Sequence, residues 1–133
     1  MKNSIKEIKC AVIIGEYING NYKVSIYSDG TKIRENNLEF LIPSKPEAID
    51  MKITDCCDIG CPYCHENSLP NGLHGDILNA KFIDTLLPYT EVAIGGGNPL
   101  SHPGLVEFLH VLKDKSVIAN ITINQKHFLE KHE

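Results

Sequence analysis

Four cysteines fall in one short run, Cys56-Cys57-Asp58-Ile59-Gly60-Cys61-Pro62-Tyr63-Cys64, in a chain of 133 residues that has five cysteines in all. The run is too crowded for a disulfide framework, and in a reducing compartment such clustering signals metal or redox chemistry. Cys57, Cys61 and Cys64 are spaced C-x3-C-x2-C. Three thiolates on one loop can hold three irons of a cubane and leave the fourth iron without a protein ligand. An open position on a metal centre invites a further ligand, by the logic that separates catalytic from structural zinc. Gly60 and Pro62 let the backbone curl so that the three sulfurs converge. The competing chemistry is a tetrahedral zinc site with His65, His74 or Cys56 as fourth ligand. Alternation along an extended backbone turns Cys56 away from its neighbour. Cys10 alternates with Ile8, Val12 and Ile14 and reads as a small buried hydrophobe.

A second unusual loop is Gly95-Gly96-Gly97. Three consecutive glycines cost chain entropy and are tolerated chiefly where a ligand approaches the backbone. No Gly-Lys-Ser/Thr follows, which excludes a nucleotide phosphate loop of that type. His65, His74, His102 and His110 read as surface or capping residues, with His65 set apart because it follows the last cysteine of the run. Asp50 and Lys52 alternate with Ile49, Met51 and Ile53, so one face of that segment is polar: either a solvated face or the lumen of a barrel.

These residues need elements to position them. Between residues 8 and 34, short β-rich runs are broken by Asn19-Gly20 and Asp29-Gly30, whose glycines supply the positive φ of tight hairpins. This predicts a three-stranded antiparallel meander forming an accessory segment over residues 1–45. Leu38, Phe40, Leu41 and Ile42 should pin the connecting stretch by apolar contact. A strand is predicted over residues 49–54, a helix over 79–87 capped by Asn79 and stopped by Pro88, and a strand over 91–94. Then come a helix over 102–113 capped by Ser101, a strand over 117–123, and the start of a helix from Phe128. Alternating strands and helices predict βαβ units on a parallel sheet, with functional loops at the carboxyl ends of the strands. The cysteine run and the triple glycine both fall at that edge.

The cysteine loop, including its aromatic Tyr63, resembles that of the radical S-adenosylmethionine (SAM) superfamily. Residues 49–54 resemble the family's first barrel strand. Gly96-Gly97-Asn98-Pro99-Leu100 resembles its Gly-Gly-Glu-Pro segment, and residues 121–124 resemble the end of its third strand. The resemblance covers residues 46–124. It implies an α/β fold in which residues 46–133 form the first three units of a (β/α)6 barrel. It also implies a [4Fe-4S] cluster on Cys57, Cys61 and Cys64 and SAM chelating the open iron. Tyr63 would lie against the adenine, and Gly96, Gly97, Asn98 and Pro99 would line the methionyl end. Reductive cleavage of SAM would yield a 5'-deoxyadenosyl radical that abstracts hydrogen from a small-molecule or peptide substrate, with flavodoxin or ferredoxin as electron donor. The rival is a non-catalytic iron-sulfur or zinc module that docks to a partner. Asn98 stands where the family has Glu, which removes a charge from the SAM contact and weakens it by about 1 kcal/mol. Gln125 stands where a glycine often occurs. Three units instead of six leave the strand at 117–123 with an unpaired edge, which predicts self-association.

Lysine and arginine number 13 against 17 acidic residues, for a net charge of -4, and the basic residues form no run. That excludes the electrostatic footprint of a nucleic-acid binder. No apolar run approaches the roughly 18 residues of a membrane span, and no apolar stretch follows Met1-Lys2-Asn3-Ser4, so a cytoplasmic protein is expected.

Overall fold

The computed structural model describes residues 11–130. Cys10 lies outside the described residues. The chain divides into two compact units, Met1–Lys45 and Pro46–Glu133.

The first unit is an antiparallel sheet of β1 (Ile13–Asn19), β2 (Tyr22–Tyr27) and β3 (Lys32–Glu35), in that order. Asn19 pairs with Tyr22 across a two-residue turn whose first position, Gly20, has φ +63. A glycine there is what this hairpin turn demands. A Cβ on Gly20 would lie 1.9 Å from the Ile42 carbonyl oxygen, so the connecting segment closes directly over the turn. That segment is not pinned by apolar contact as predicted: Leu38, Phe40 and Ile42 are each about two-thirds exposed. Asparagine side chains hold it instead. Buried Asn19 Oδ1 accepts from the Ser44 and Lys45 N–H groups, and Asn21 Oδ1 accepts from Ile42 N–H at 2.7 Å. Short amides beside a turn can replace backbone partners, whereas apolar side chains cannot.

In the second unit β4 (Ala48–Thr54), β5 (Glu91–Gly96) and β6 (Ile118–Ile121) form a parallel sheet in that order. Ile49 pairs with Val92 and Met51 with Ile94, then Val92 with Ala119, so the β-branched residues fall on one face. Helix α1 (Leu105–Asp114) covers it, packing Leu105, Phe108 and Leu112 against Ile53, Val92 and Ile94. The opposite face carries Asp50, Lys52, Ala93 and Gly95.

All three predicted helices differ in the structure. Residues 79–87 form a 3-10 helix, Lys81–Thr85, and not an α-helix. Thr85 Oγ1 donates to the Phe82 carbonyl at 2.7 Å, Leu86 N–H turns back to Ile83, and Pro88 biases Leu87 against helical backbone. Asn79 is not a cap; its N–H and amide bond Asp76. Ser101 does not cap α1, whose N-cap is Gly104. Ser101 ends a 3-10 helix, Pro99–Ser101, capped by the Asn98 side chain. The last helix, α2 (Gln125–Glu130), starts earlier than predicted, because Asn124 Oδ1 accepts from Lys126 N–H.

Candidate metal and ligand site

The cysteine loop leaves the carboxyl end of β4 and is closed at its base by a backbone ladder. Gly75 N–H donates to Ile53, Asp55 N–H to Leu73, Leu69 N–H to Asp55, and Cys57 N–H to Leu69, all between 2.8 and 3.0 Å. Thr54, 2% exposed, adds its hydroxyl, which accepts from Cys56 N–H at 3.0 Å and meets His74 Nδ1 at 2.8 Å. Gly72 permits the approach, since a Cβ there would lie 2.2 Å from the Asp55 carbonyl. The Asn71-Gly72 dipeptide is a turn signal that could have drawn attention to this closure.

All four cysteines of the loop are free thiols, with Cys57 and Cys64 half-buried and Cys61 exposed. Backbone N–H groups of Ser68 and Glu66 lie against the Cys64 sulfur and hold its thiol below the ordinary range. Stabilised thiolate is the form that binds metal. Cys56 Sγ contacts the Pro70 carbonyl at 3.3 Å. Three free thiols on one loop, with the Cys64 thiol shifted downward, are a donor set whose chemistry suits an iron-sulfur cluster.

The second glycine loop packs on the root of the first. Gly97 N–H donates to Thr54 at 2.7 Å and Asn98 N–H to Cys56 at 2.6 Å. Cβ atoms on Gly96 and Gly97 would each come within 2.4 Å of a carbonyl oxygen, Thr54 and Cys56 respectively. These two glycines are therefore required by the protein's own backbone. Gly95 differs: a Cβ there would meet nothing within 4 Å.

Beside Gly95 lies a cavity of about 570 Å³ at the carboxyl edge of the parallel strands, lined by Asp50, Lys52, His65, Glu66, Gly95, Gly96, Gly97, Thr122 and Asn124 among others. The polar face of β4 therefore borders this cavity. Lys52 Nζ bridges Asp55 at 2.5 Å and Glu66 at 2.7 Å, which raises its own pKa well above the usual lysine range and lowers that of Glu66. Of the residues singled out for SAM, Gly96 and Gly97 line the cavity; Tyr63, Asn98 and Pro99 do not. Tyr63 is 97% exposed and Pro99 is buried. Asn98 Oδ1 accepts from Leu100 N–H at 3.1 Å.

The histidines weighed as zinc ligands are engaged elsewhere or solvated: His74 with Thr54, and His65, 90% exposed, beside Glu66. His102 is a structural pin, its Nδ1 accepting from Gly104 N–H and its Nε2–H donating to the Gly75 carbonyl at 2.8 Å. No motif in the sequence marks His127. It is 3% exposed, and Cys57, Asp58 and His127 each bring one ligand atom within 4.8 Å of the others.

Comparison with known proteins gives a distant similarity. The chain is 29% identical over 99 residues to GTP 3',8-cyclase of Hydrogenovibrio crunogenus, which covers 66% of this chain and 29% of that protein. The chain thus spans under a third of the length of that relative. No family model and no solved structure matches it. Among the described residues, no helix is long and apolar enough to cross a membrane.

Proposed function

We propose that this chain is part of a radical SAM enzyme, with Cys57, Cys61 and Cys64 as the ligands of a [4Fe-4S] cluster and the adjoining cavity as the SAM and substrate site. One observation carries the reading: the C-x3-C-x2-C loop at the end of β4 and the Gly96-Gly97-Asn98 segment at the end of β5 are locked together by the Thr54 and Cys56 carbonyls. Similarity to a cyclase supports an enzyme over a non-catalytic module. Bound there, the cluster and SAM would supply a one-electron cleavage yielding a radical that abstracts hydrogen.

The chain's own residues provide position. Cys64 is held toward thiolate by the turn that follows it. Lys52 ties Asp55 and Glu66, on either side of the cysteine run, to β4. Asn98 caps the turn after the glycines through Leu100 N–H and lies outside the cavity, so Gly96 and Gly97 are the residues of that segment that face it. Gly95 leaves the cavity floor bare beside that segment. In this reading the three parallel strands are the opening arc of a (β/α) barrel, and the outer edge of β6 receives further strands or a second copy. Flavodoxin or ferredoxin would deliver the electron. A second reading, a non-catalytic zinc module, is favoured by one observation: the close Cys57, Asp58 and His127 set mixes sulfur, oxygen and nitrogen donors as zinc sites do.

Anaerobic reconstitution separates them. Iron and sulfide should bind, with thiolate-to-iron absorbance at about 400 nm. Cys57→Ala, Cys61→Ala and Cys64→Ala should each abolish it, while Cys56→Ala retains it. SAM should perturb the electron paramagnetic resonance spectrum of the reduced cluster. Stoichiometric zinc without iron would overturn the proposal in favour of the zinc module.

A further inference from the structure

His127 is an unusual residue for an exposed short helix. It is 3% exposed, and its Nδ1 is buried with no hydrogen-bond partner. Its Nε2–H donates to Asp58 Oδ1 at 2.6 Å, across 69 residues of sequence. Asp58 is itself largely exposed and needs no partner to be solvated. Burying an imidazole to reach a carboxylate that water would satisfy costs free energy, so the contact calls for a return elsewhere. What the pair fixes is the residue next to Asp58, namely Cys57, whose sulfur falls within 4.8 Å of the set.

Each end of the cysteine run otherwise has its own restraint. Lys52 holds Glu66 beyond Cys64, and the ladder bond from Cys57 N–H to Leu69 fixes the backbone at the start. Neither constrains the loop just after Cys57, where Asp58 leads into Gly60 with φ +65. Helix α2 supplies that restraint, with Asn124 setting its first turn and His127 projecting from it.

Resting on the iron-sulfur reading, we infer that His127 is a positioning residue for the cluster: through Asp58 it fixes the Cys57 arm of the loop, and thereby couples the end of β6 to the metal site. Partners that orient metal ligands in this way commonly contribute 10- to 100-fold to metal affinity, so losing the pair should weaken cluster retention by about tenfold or more.

The test compares wild type, His127→Ala, His127→Gln, Asp58→Ala and Asp58→Asn after anaerobic reconstitution. It measures iron and sulfide retained against an iron chelator and the electron paramagnetic resonance spectrum of the reduced cluster. Far-ultraviolet circular dichroism monitors folding. Gln places an amide N–H near the position of Nε2, and Asn keeps an acceptor oxygen for it, so these two variants should retain iron and the wild-type spectrum. His127→Ala and Asp58→Ala should lose iron about tenfold faster or shift the spectrum. Asp58→Ala removes an exposed side chain and keeps the test open if His127→Ala fails to fold. Folded alanine variants that retain iron and spectrum like wild type would overturn the inference alone. A wild type that takes up no iron would overturn the reading beneath it as well. Zinc held by wild type and lost from His127→Ala would make His127 a ligand, which also overturns it.

Discussion

The two crossovers of the parallel sheet are built in opposite ways. From β5 to β6 the chain passes through α1, a regular helix that buries Leu105, Phe108 and Leu112 against the sheet. From β4 to β5 it passes through the cysteine loop and a single 3-10 helix, with Ile77 and Ile83 as its buried apolar anchors. The first is held by side chains, so its backbone is indifferent to many substitutions outside the buried stripe. The second is held by backbone against backbone, at Gly72, Gly96 and Gly97, which leaves its side chains free for chemistry. A loop of this kind fails where a Cβ is added, and a helix of the other kind fails where side chains are removed.

The largest expected effect breaks the backbone-held crossover. Gly97→Ala forces a Cβ to within 2.4 Å of the Cys56 carbonyl oxygen, and Gly72→Ala to within 2.2 Å of Asp55. Each should destabilise by more than about 4 kcal/mol or displace the loop outright, read from the denaturation midpoint and iron uptake. Phe108→Ala, 1% exposed in α1, should follow at about 3 to 4 kcal/mol, measured by the same unfolding curve. Thr54→Val leaves the Cys56 N–H without its side-chain acceptor at nearly unchanged volume and should cost about 1 to 3 kcal/mol. Gly95→Ala sharpens the contrast within one tripeptide. It meets no atom and has no positive φ, so stability should stay within about 1 kcal/mol of wild type while the cavity narrows. A Gly95→Ala loss as large as that of Gly97→Ala would refute the division between the glycines.

The smallest effect lies outside both crossovers. Lys23 and Ser25 hold the Glu16 carboxyl below its ordinary 4.5. A depressed carboxyl contributes stability above its unfolded value and loses it as pH falls through the folded one. A slight drop in melting temperature below about pH 4.5 should therefore vanish in Glu16→Gln.

The contrast also explains what the sequence disclosed. The meander was legible because the Asn19-Gly20 and Asp29-Gly30 turns act over a few residues, and α1 because its apolar stripe repeats at helical spacing. The cysteine triad announced itself by residue type. Its supports did not. The ladder from 53–57 to 69–75 has no apolar period, and nothing in the glycine run announces that the Thr54 and Cys56 carbonyls also press on Gly96 and Gly97. The helix expected over 79–87 had apolar spacing but lost its backbone bonding to Thr85 and Pro88. His127 was silent because its partner lies 69 residues away. Backbone-to-backbone docking leaves little pattern in side chains, and that is how this site is assembled.

The separation along the chain of the ladder and the glycine segment sets an order for assembly during synthesis. Asp55 finds Leu73 and Leu69 close by in sequence, so the cysteine loop can close as soon as Gly75 has emerged. The Thr54 and Cys56 carbonyls must wait for Gly97 and Asn98, and His127 comes later still. At roughly 5–20 residues per second, the thiols spend on the order of a second or more on a closed but undocked loop. On the iron-sulfur reading, that interval is when a metal donor would have freest access to the cysteines, and also when an oxidant would do the most harm.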